Sequence, residues 1–320
     1  MKKVFAVAPY NHGINFKMQV YNAWTKMGGQ TMSSHYPPTL FHGYAYNHEL
    51  PTIWKNNKKA LLRFVEPVSI SFDTFPEYVY YEIIPMIWDC WPKYFEKTCQ
   101  WFLRHDIKTA IFTSSQTADK MRGRFPKMNI LSITEGIDTS KYNEGKNLNE
   151  RSIDLLEFGR RNKKVFNVDL PSNYAHLYSK NGEHIFKTGQ ELVNGLADSK
   201  ITVCYPRCDT QPQKAGNIET LTQRYWEAML SRIVIIGRAP KELIDLIGYN
   251  PVIEIKKEHQ TEHIIEILNH INDYQSFVNR NRETALKHGD WCIRVNHIMN
   301  WLKDVGYCID NYDSFAQEYD

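Results

Sequence analysis

No two glycines in this 320-residue sequence stand one residue apart, so it carries no G-x-G dinucleotide fingerprint, and no P-loop is present either. Both absences weigh against a dehydrogenase or a kinase. No two aspartates are separated by a single residue, which removes the D-x-D clamp that would hold a metal-bound nucleotide sugar. H-E-x-x-H and G-x-S-x-G are missing as well, and with them the zinc-protease and serine-hydrolase signatures. The six cysteines include no C-x-x-C pair, and we expect reduced, mostly buried thiols that bind no metal. No stretch approaches the ~18 apolar residues of a membrane span, and the apolar run in MKKVFAVAPY is too short for a secretory signal. The expected location is cytoplasmic, at most peripheral at the inner membrane face.

Charge is also in short supply. The net value is +3, with 18 Lys+Arg against 13 Asp+Glu in residues 1–150 and 21 against 23 in the remainder. That is too mild for a nucleic-acid-binding protein, so no nucleic-acid partner is expected. A slightly basic first half suits anionic small ligands or an anionic membrane surface, with KNNKKALLRF and KMRGRFPK either docking there or forming solvated faces.

What is present is alternation. KVFAVAP reads as a buried strand and NFKMQVYNAWTKMGG as a helix stopped by glycine. Residues 30–65 read as loop-rich, with Pro37-Pro38 and several His and Tyr. VSISFD and YVYYEIIP read as strands, followed by helix PKYFEKTCQWFLRHD, strand IKTAIFTS, helix QTADKMRGRF and strand NILSITEG. After the polar stretch KYNEGKNLNERS the pattern restarts with strand IDLLEFG, helix TGQELVNGLADS and strand ITVCYP, and it closes on helices from about residue 260. Short apolar strands alternating with helices imply parallel sheets covered on both faces. We therefore expect two doubly wound α/β domains, residues 1–145 and 146–290, with closing helices in 291–320 that cross back to the first. Ligands of such folds bind outside the carboxyl ends of the strands, here in a cleft that the two domains face.

The stretch NIETLTQRYWEAMLSRIVIIG places Glu219 and Glu227 eight residues apart. In one continuous helix they would lie roughly 12 Å apart along the axis and could not share one small group. Thr220-Leu221-Thr222-Gln223 fits a capping box, which makes Thr220 the expected N-cap. Glu219 then sits in the loop ahead and Glu227 about two turns inside. That arrangement suits an elongated ligand touched at two points.

From IDLLEFGRRN through this stretch, the sequence resembles the group 1, family-4-like glycosyltransferases of the GT-B fold. That family has a strand ending in Gly-Arg and a later E-x7-E before a helix and a strand ending in Gly, and here Gly159-Arg160 and Glu219/Glu227 take those places. ITEGIDTSKY is similar to the family's domain-linking p-x-G-i-D-x-x-x-F, and IKTAIFTSSQTADKM to the elements before it. The resemblance implies two Rossmann-like domains and transfer of a sugar from a nucleotide-diphosphate donor to a glycan, a lipid-linked acceptor or another hydroxyl, with retention. It implies neither cofactor nor essential metal. Glu227 would accept the ribose hydroxyls, while Arg160, with Arg161 and Lys164 nearby, would face the diphosphate. Thr220, Thr222 and Arg224 would add contacts at the helix start, and Glu219 would hold the sugar. Asp89 keeps the acid of the family's His-Asp pair, with Trp88 where the histidine stands. Glu219-Thr220-Leu221-Thr222 replaces the common E-G-F-G. His12, His35 and His42, in the first half, are candidate acceptor ligands or ordinary packing histidines. Two alternatives remain: a nucleotide-sugar 2-epimerase on the same architecture, and a non-catalytic sugar-nucleotide-binding protein.

Overall fold

The protein is described here from a computed structural model, which covers residues 1–9, 16–34, 43–44, 48, 50–52, 55–159, 161–179, 183, 185–255 and 257–310. The strands are β1 (Lys2–Val7), β2 (Thr31–Met32), β3 (Lys59–Val65), β4 (Glu82–Ile87), β5 (Thr109–Phe112), β6 (Asn129–Ser132), β7 (Ile153–Glu157), β8 (His176–Tyr178), β9 (Ser199–Cys204), β10 (Val234–Gly237), β11 (Ile253–Glu254) and β12 (Tyr307–Cys308). The helices are α1 (Phe16–Lys26), α2 (Ile70–Thr74), α3 (Glu77–Tyr80), α4 (Pro92–Arg104), α5 (Ser115–Arg124), α6 (Gly189–Ala197), α7 (Gln223–Leu230), α8 (Lys241–Ile247), α9 (Gln260–Asn269), α10 (Gln275–His288) and α11 (Trp291–Asp304). Short helical turns occur at Arg207–Thr210 and Pro212–Ala215. No helix among the described residues is long and apolar enough to cross a membrane.

The chain forms two compact units. The first comprises Met1–Glu135, Lys214–Ile218 and Trp291–Asp320; the second comprises Gly136–Gln213 and Glu219–Asp290. The first unit holds a parallel sheet in the order β12-β1-β3-β4-β5-β6, with β2 added to β1. The two-residue period of a strand sends successive side chains to opposite faces. Ala60, Leu62 and Phe64 accordingly join Trp24 of α1 and Trp291 and Met299 of α11, whereas Leu61 and Val65 join Trp101 of α4 and Met121 of α5. Burial on both faces is why β4 and β5 are apolar after their first residues, Glu82 and Thr109.

Two stretches differ from the sequence reading. VSISFD and the start of YVYYEIIP form α2 and α3, and the strand begins only at Glu82. Their alternation is real but short, and Ile70, Phe75, Tyr78 and Val79 all reach one apolar cluster from two helical turns. Ser69 Oγ donates to Asp73 at 2.7 Å, and Thr74 Oγ1 donates to the Ile70 carbonyl at 2.6 Å, both local bonds that favour turns. Conversely, the region read as loop-rich contains the central strand β3. Its sequence KALLRFV has one β-branched residue, and the buried Arg63 interrupts its apolar run.

The second unit holds a parallel sheet in the order β11-β10-β9-β7-β8. Here Leu156 and Ile235 pack with Trp226 of α7 and Ala285 of α10, while Leu155, Val234 and Ile236 pack with Ile264 of α9 and Val278 of α10. β7 lies between β8 and β9, so the chain leaves β7 in one direction and later leaves β9 in the other. The sheet's switch point is therefore between β7 and β9, which is where open α/β sheets take ligands beyond their strand ends.

Candidate functional site

Beyond β7 the chain turns at Gly159, with φ of +86°. A Cβ there would lie 2.5 Å from the guanidinium of Arg224, so glycine is what lets that side chain lie against the backbone. Arg224 is in the first turn of α7, 5.5 Å above the Phe158 ring. Among the described residues the guanidinium makes neither a hydrogen bond nor an ion pair.

Glu227 lies one turn further along α7. Its Oε1 accepts a hydrogen bond from the Tyr142 hydroxyl at 3.0 Å, and Oε2 has no hydrogen bond among the described residues. Burial pushes the Glu227 carboxyl above the ordinary range, opposed by the Tyr142 hydrogen bond and the Arg224 charge. Burial, and then the Glu227 charge, push the Tyr142 phenol up as well, so Tyr142 stays a donor.

Helix α7 starts two residues later than the capping box suggested. Its N-cap is Thr222, whose hydroxyl makes no capping bond. Leu221 is fully buried and its N–H is held by Glu242 at 3.0 Å, which keeps Thr220 and Leu221 outside the helix. Gln223 does not reach back to Thr220; its Nε2 donates to the Gly136 carbonyl at 2.9 Å. Glu227 is thus about one turn inside the helix, and Glu219 is in the loop ahead of it.

The carboxylate of Glu219 is already engaged. Oε1 accepts from Arg238 Nη1, and Oε2 accepts from the backbone N–H of Lys241, the first residue of α8, at 2.9 Å. Arg238 follows β10 directly and forks onto Asp209, with Nε at 2.6 Å and Nη2 at 2.8 Å. Tyr225 donates to the Arg238 carbonyl at 2.6 Å. Gly237 has φ of +122°, and a Cβ there would sit 2.3 Å from the Cys204 carbonyl oxygen.

Arg161 is a brace. Its Nε and Nη2 each lie 2.7 Å from the buried carboxylate of Glu157, and its guanidinium stacks 4.0 Å from the Tyr178 ring centre. His176 Nε2 contacts the same carboxylate at 2.9 Å. Lys164 is exposed, with its N–H on Asn162 Oδ1 at 3.0 Å. Asp89 belongs to the first unit, just past β4, with φ of +52°; its neighbour Trp88 is buried against Phe16 and Trp291. Arg160, His12, His35 and His42 lie outside the described residues. All six cysteines are unbridged, and among the described residues no three His, Cys, Asp or Glu side chains converge as metal ligands.

Three members of this constellation were missed in the sequence. Tyr142 stands at the aromatic position closing GIDTSKY, a detectable signal. Arg238 follows a strand that ends in glycine, also detectable from the rule that ligands meet strand ends. Nothing in the sequence marks Asp209.

No protein-family model and no curated protein matches the sequence. Solved structures do share its fold. Sucrose-phosphate synthase from Thermosynechococcus elongatus superposes with a TM-score of 0.58 over 96% of this chain and 100% of that one, at 10% identity. HepE of Anabaena in complex with UDP-glucose gives 0.54 over 95% and 100%, at 8% identity. AviGT4, a glycosyltransferase involved in avilamycin A biosynthesis, gives 0.53 over 95% and 98%, at 10% identity. Identity this low carries the architecture and leaves the activity to be argued from the site. With two parallel sheets, each wound on both faces, the chain has the two-domain Rossmann-like fold of the GT-B glycosyltransferases.

Proposed function

We propose that this chain transfers a sugar from a nucleotide-diphosphate donor to a hydroxyl acceptor. The observation that carries the reading is the pair Arg224 and Glu227. Among the described residues, a cation with no hydrogen bond and a carboxylate with only one stand one turn apart on a helix, next to Gly159 at the end of β7. A nucleoside diphosphate offers the complement, a phosphate anion and a vicinal diol. Glu227 takes the ribose hydroxyls, Oε2 first. Arg224, with Arg160, Lys164 and the free Thr222 hydroxyl, takes the diphosphate, joined by the N–H groups that open α7, next to Thr220. Negative charge grows on that diphosphate as the sugar leaves, so fixed cations lower the barrier as well as aiding binding. Glu219, oriented by Arg238 and the Lys241 N–H, holds a sugar hydroxyl. Arg161 supports the end of β7 through Glu157. The acceptor is a glycan or lipid-linked hydroxyl met by the first unit, with Asp89, His12, His35 and His42 as its contacts, and the reaction proceeds with retention and without an essential metal. That HepE holds UDP-glucose supports a nucleotide-sugar donor.

The test is calorimetry with UDP, GDP, ADP and dTDP, followed by transfer assays with the matching nucleotide sugars. Glu227→Ala removes charge-assisted bonds worth about 1.5–3 kcal/mol each, so affinity for the preferred nucleotide drops by about tenfold or more. Arg224→Ala gives a comparable loss. Glu219→Ala leaves nucleotide binding nearly unchanged and abolishes transfer. Transfer persists in excess EDTA, and complete loss restored by manganese contradicts the metal-independent part. Binding of none of the four nucleotides overturns the reading, and formation of a clean epimer without free nucleotide replaces it with an isomerase.

A further inference from the structure

We propose that Tyr142 is a positioning residue for nucleotide binding: its hydroxyl, donated to Oε1 of Glu227, aims the carboxylate so that Oε2 meets a ribose hydroxyl. The inference rests on the donor-binding reading above. In the G-i-D-x-x-x-F pattern that this segment resembles, the corresponding residue is phenylalanine, so the hydroxyl is a feature of this chain.

Tyr142 is held in place without help from Glu227. Ile137 pairs in parallel with Asp290, and its N–H donates to the Gly289 carbonyl at 2.9 Å. Asp290 accepts from the Thr139 N–H at 3.2 Å and from its hydroxyl at 2.6 Å. Asp138 accepts from the Ser140 N–H at 3.3 Å and its hydroxyl at 2.6 Å, and pairs with Lys141 at 3.2 Å. Gln223 ties Gly136 to the first turn of α7, the helix that carries Glu227. The phenol is therefore delivered to the carboxylate by a segment braced on both sides, which is what a fixed donor requires.

Two groups act on Glu227: Tyr142 from this segment and Arg224 from its own helix; Glu227 in turn acts on the buried Cys204 thiol at the end of β9, pushing it up. Asp138 in turn acts on Tyr142. Burial favours the protonated Glu227, while the phenol and Arg224 favour the carboxylate. The carboxylate is the form that accepts from both ribose hydroxyls. Without the phenol, protonation sets in at higher pH and Oε1 loses its anchor, leaving the carboxylate free to rotate.

Tyr142→Phe removes the hydroxyl and keeps the ring. The measurement is calorimetry from about pH 5 to 8, with whichever of UDP, GDP, ADP and dTDP the unaltered protein binds most tightly. The expected result is about tenfold weaker binding at neutral pH, the size of one charge-assisted hydrogen bond. The acid-side loss of affinity begins at higher pH in the variant. In a Glu227→Ala background the same substitution changes nothing. Equal affinity with superposed pH profiles overturns the proposal, and so does an undiminished effect in the Glu227→Ala background. Should the phenylalanine variant not fold, Glu227→Gln still decides, because an amide accepts the phenol but does not titrate: the acid-side loss must shrink to the part set by the nucleotide's own terminal phosphate, which titrates at about 6, and an acid-side loss equal to that of the unaltered protein overturns the proposal. Failure of the unaltered protein to bind any of the four nucleotides removes the donor reading itself. Tight binding with an indifferent Tyr142→Phe removes only the role of Tyr142.

Discussion

His105 is sealed between the rings of Tyr78 and Trp101, with centroids at 4.5 and 4.8 Å, and its Nδ1 lies 3.1 Å from the Thr52 hydroxyl. Nε2 is buried without a hydrogen-bond partner among the described residues. Burial, with the nearby Arg104 and Lys55 charges, pulls its pKa down to about 4 from the ordinary 6.5. The folded protein therefore holds a neutral imidazole, while the unfolded chain binds a proton below about pH 6.5. Stability from this residue is fully present above that value and is lost as pH falls through about 4, on the order of 3 kcal/mol in total. Denaturant titrations across that window should show the slope, and His105→Phe should flatten it. At this scale the sequence was informative where chemistry follows a motif. Glu227 was marked by its spacing from Glu219, and Gly159 by ending a strand. The pairings of Tyr142, Arg238 and Asp209 were not, because their partners lie 85, 29 and 29 residues away and only folding brings them together.

Among the elements, strands with both faces covered were legible, since β10 is an unbroken apolar run and β4 and β5 are apolar after a first polar residue. β3 was hidden by Arg63, and α2 and α3 by an alternation too short to distinguish strand from turn. The polar stretch KYNEGKNLNERS is not a loose tether. Arg151, 3% exposed, donates to the carbonyls of Glu144, Lys146, Ser199 and Ser231, and Arg232 adds bonds to Glu144 and Gly145. Arg151→Met should leave those carbonyls unmet and lower unfolding stability by about 2–4 kcal/mol, read from the denaturant midpoint, with nucleotide affinity nearly unchanged. Helices α4 and α5 raise a separate expectation. Phe102 and Phe125 pack at 6.0 Å beneath them, and Lys93, Lys97, Arg104, Lys120, Arg122, Arg124 and Lys127 are exposed, as is Leu103 at 64%. As part of the proposed function, this face meets anionic lipid, at about 1 kcal/mol per basic residue near the surface. Flotation with phosphatidylserine vesicles should recover the protein at low salt, and Lys97→Glu with Lys120→Glu should reduce recovery severalfold. Recovery that ignores both substitutions removes the lipid role.

For the whole molecule, alternation of strand and helix was enough to read two parallel-sheet domains, because each short strand needs cover on both faces and the intervening helices provide it. Helix α11 and strand β12 belong with the first unit: Tyr307 pairs with Lys2, and Trp291, Val295, Ile298 and Met299 share a cluster with Val4, Trp24 and Met27. A ribosome makes these parts in an inconvenient order. Residues 136–290 emerge, and can close their own sheet, while one face of the first sheet still waits for its helix. At about 5–20 residues per second, the interval between Glu135 and Cys308 lasts on the order of ten to thirty-five seconds. Through that time the apolar face formed by Trp24, Met27, Leu62 and Phe64 lacks its α11 cover. It is the surface that a nascent-chain chaperone would be expected to shield.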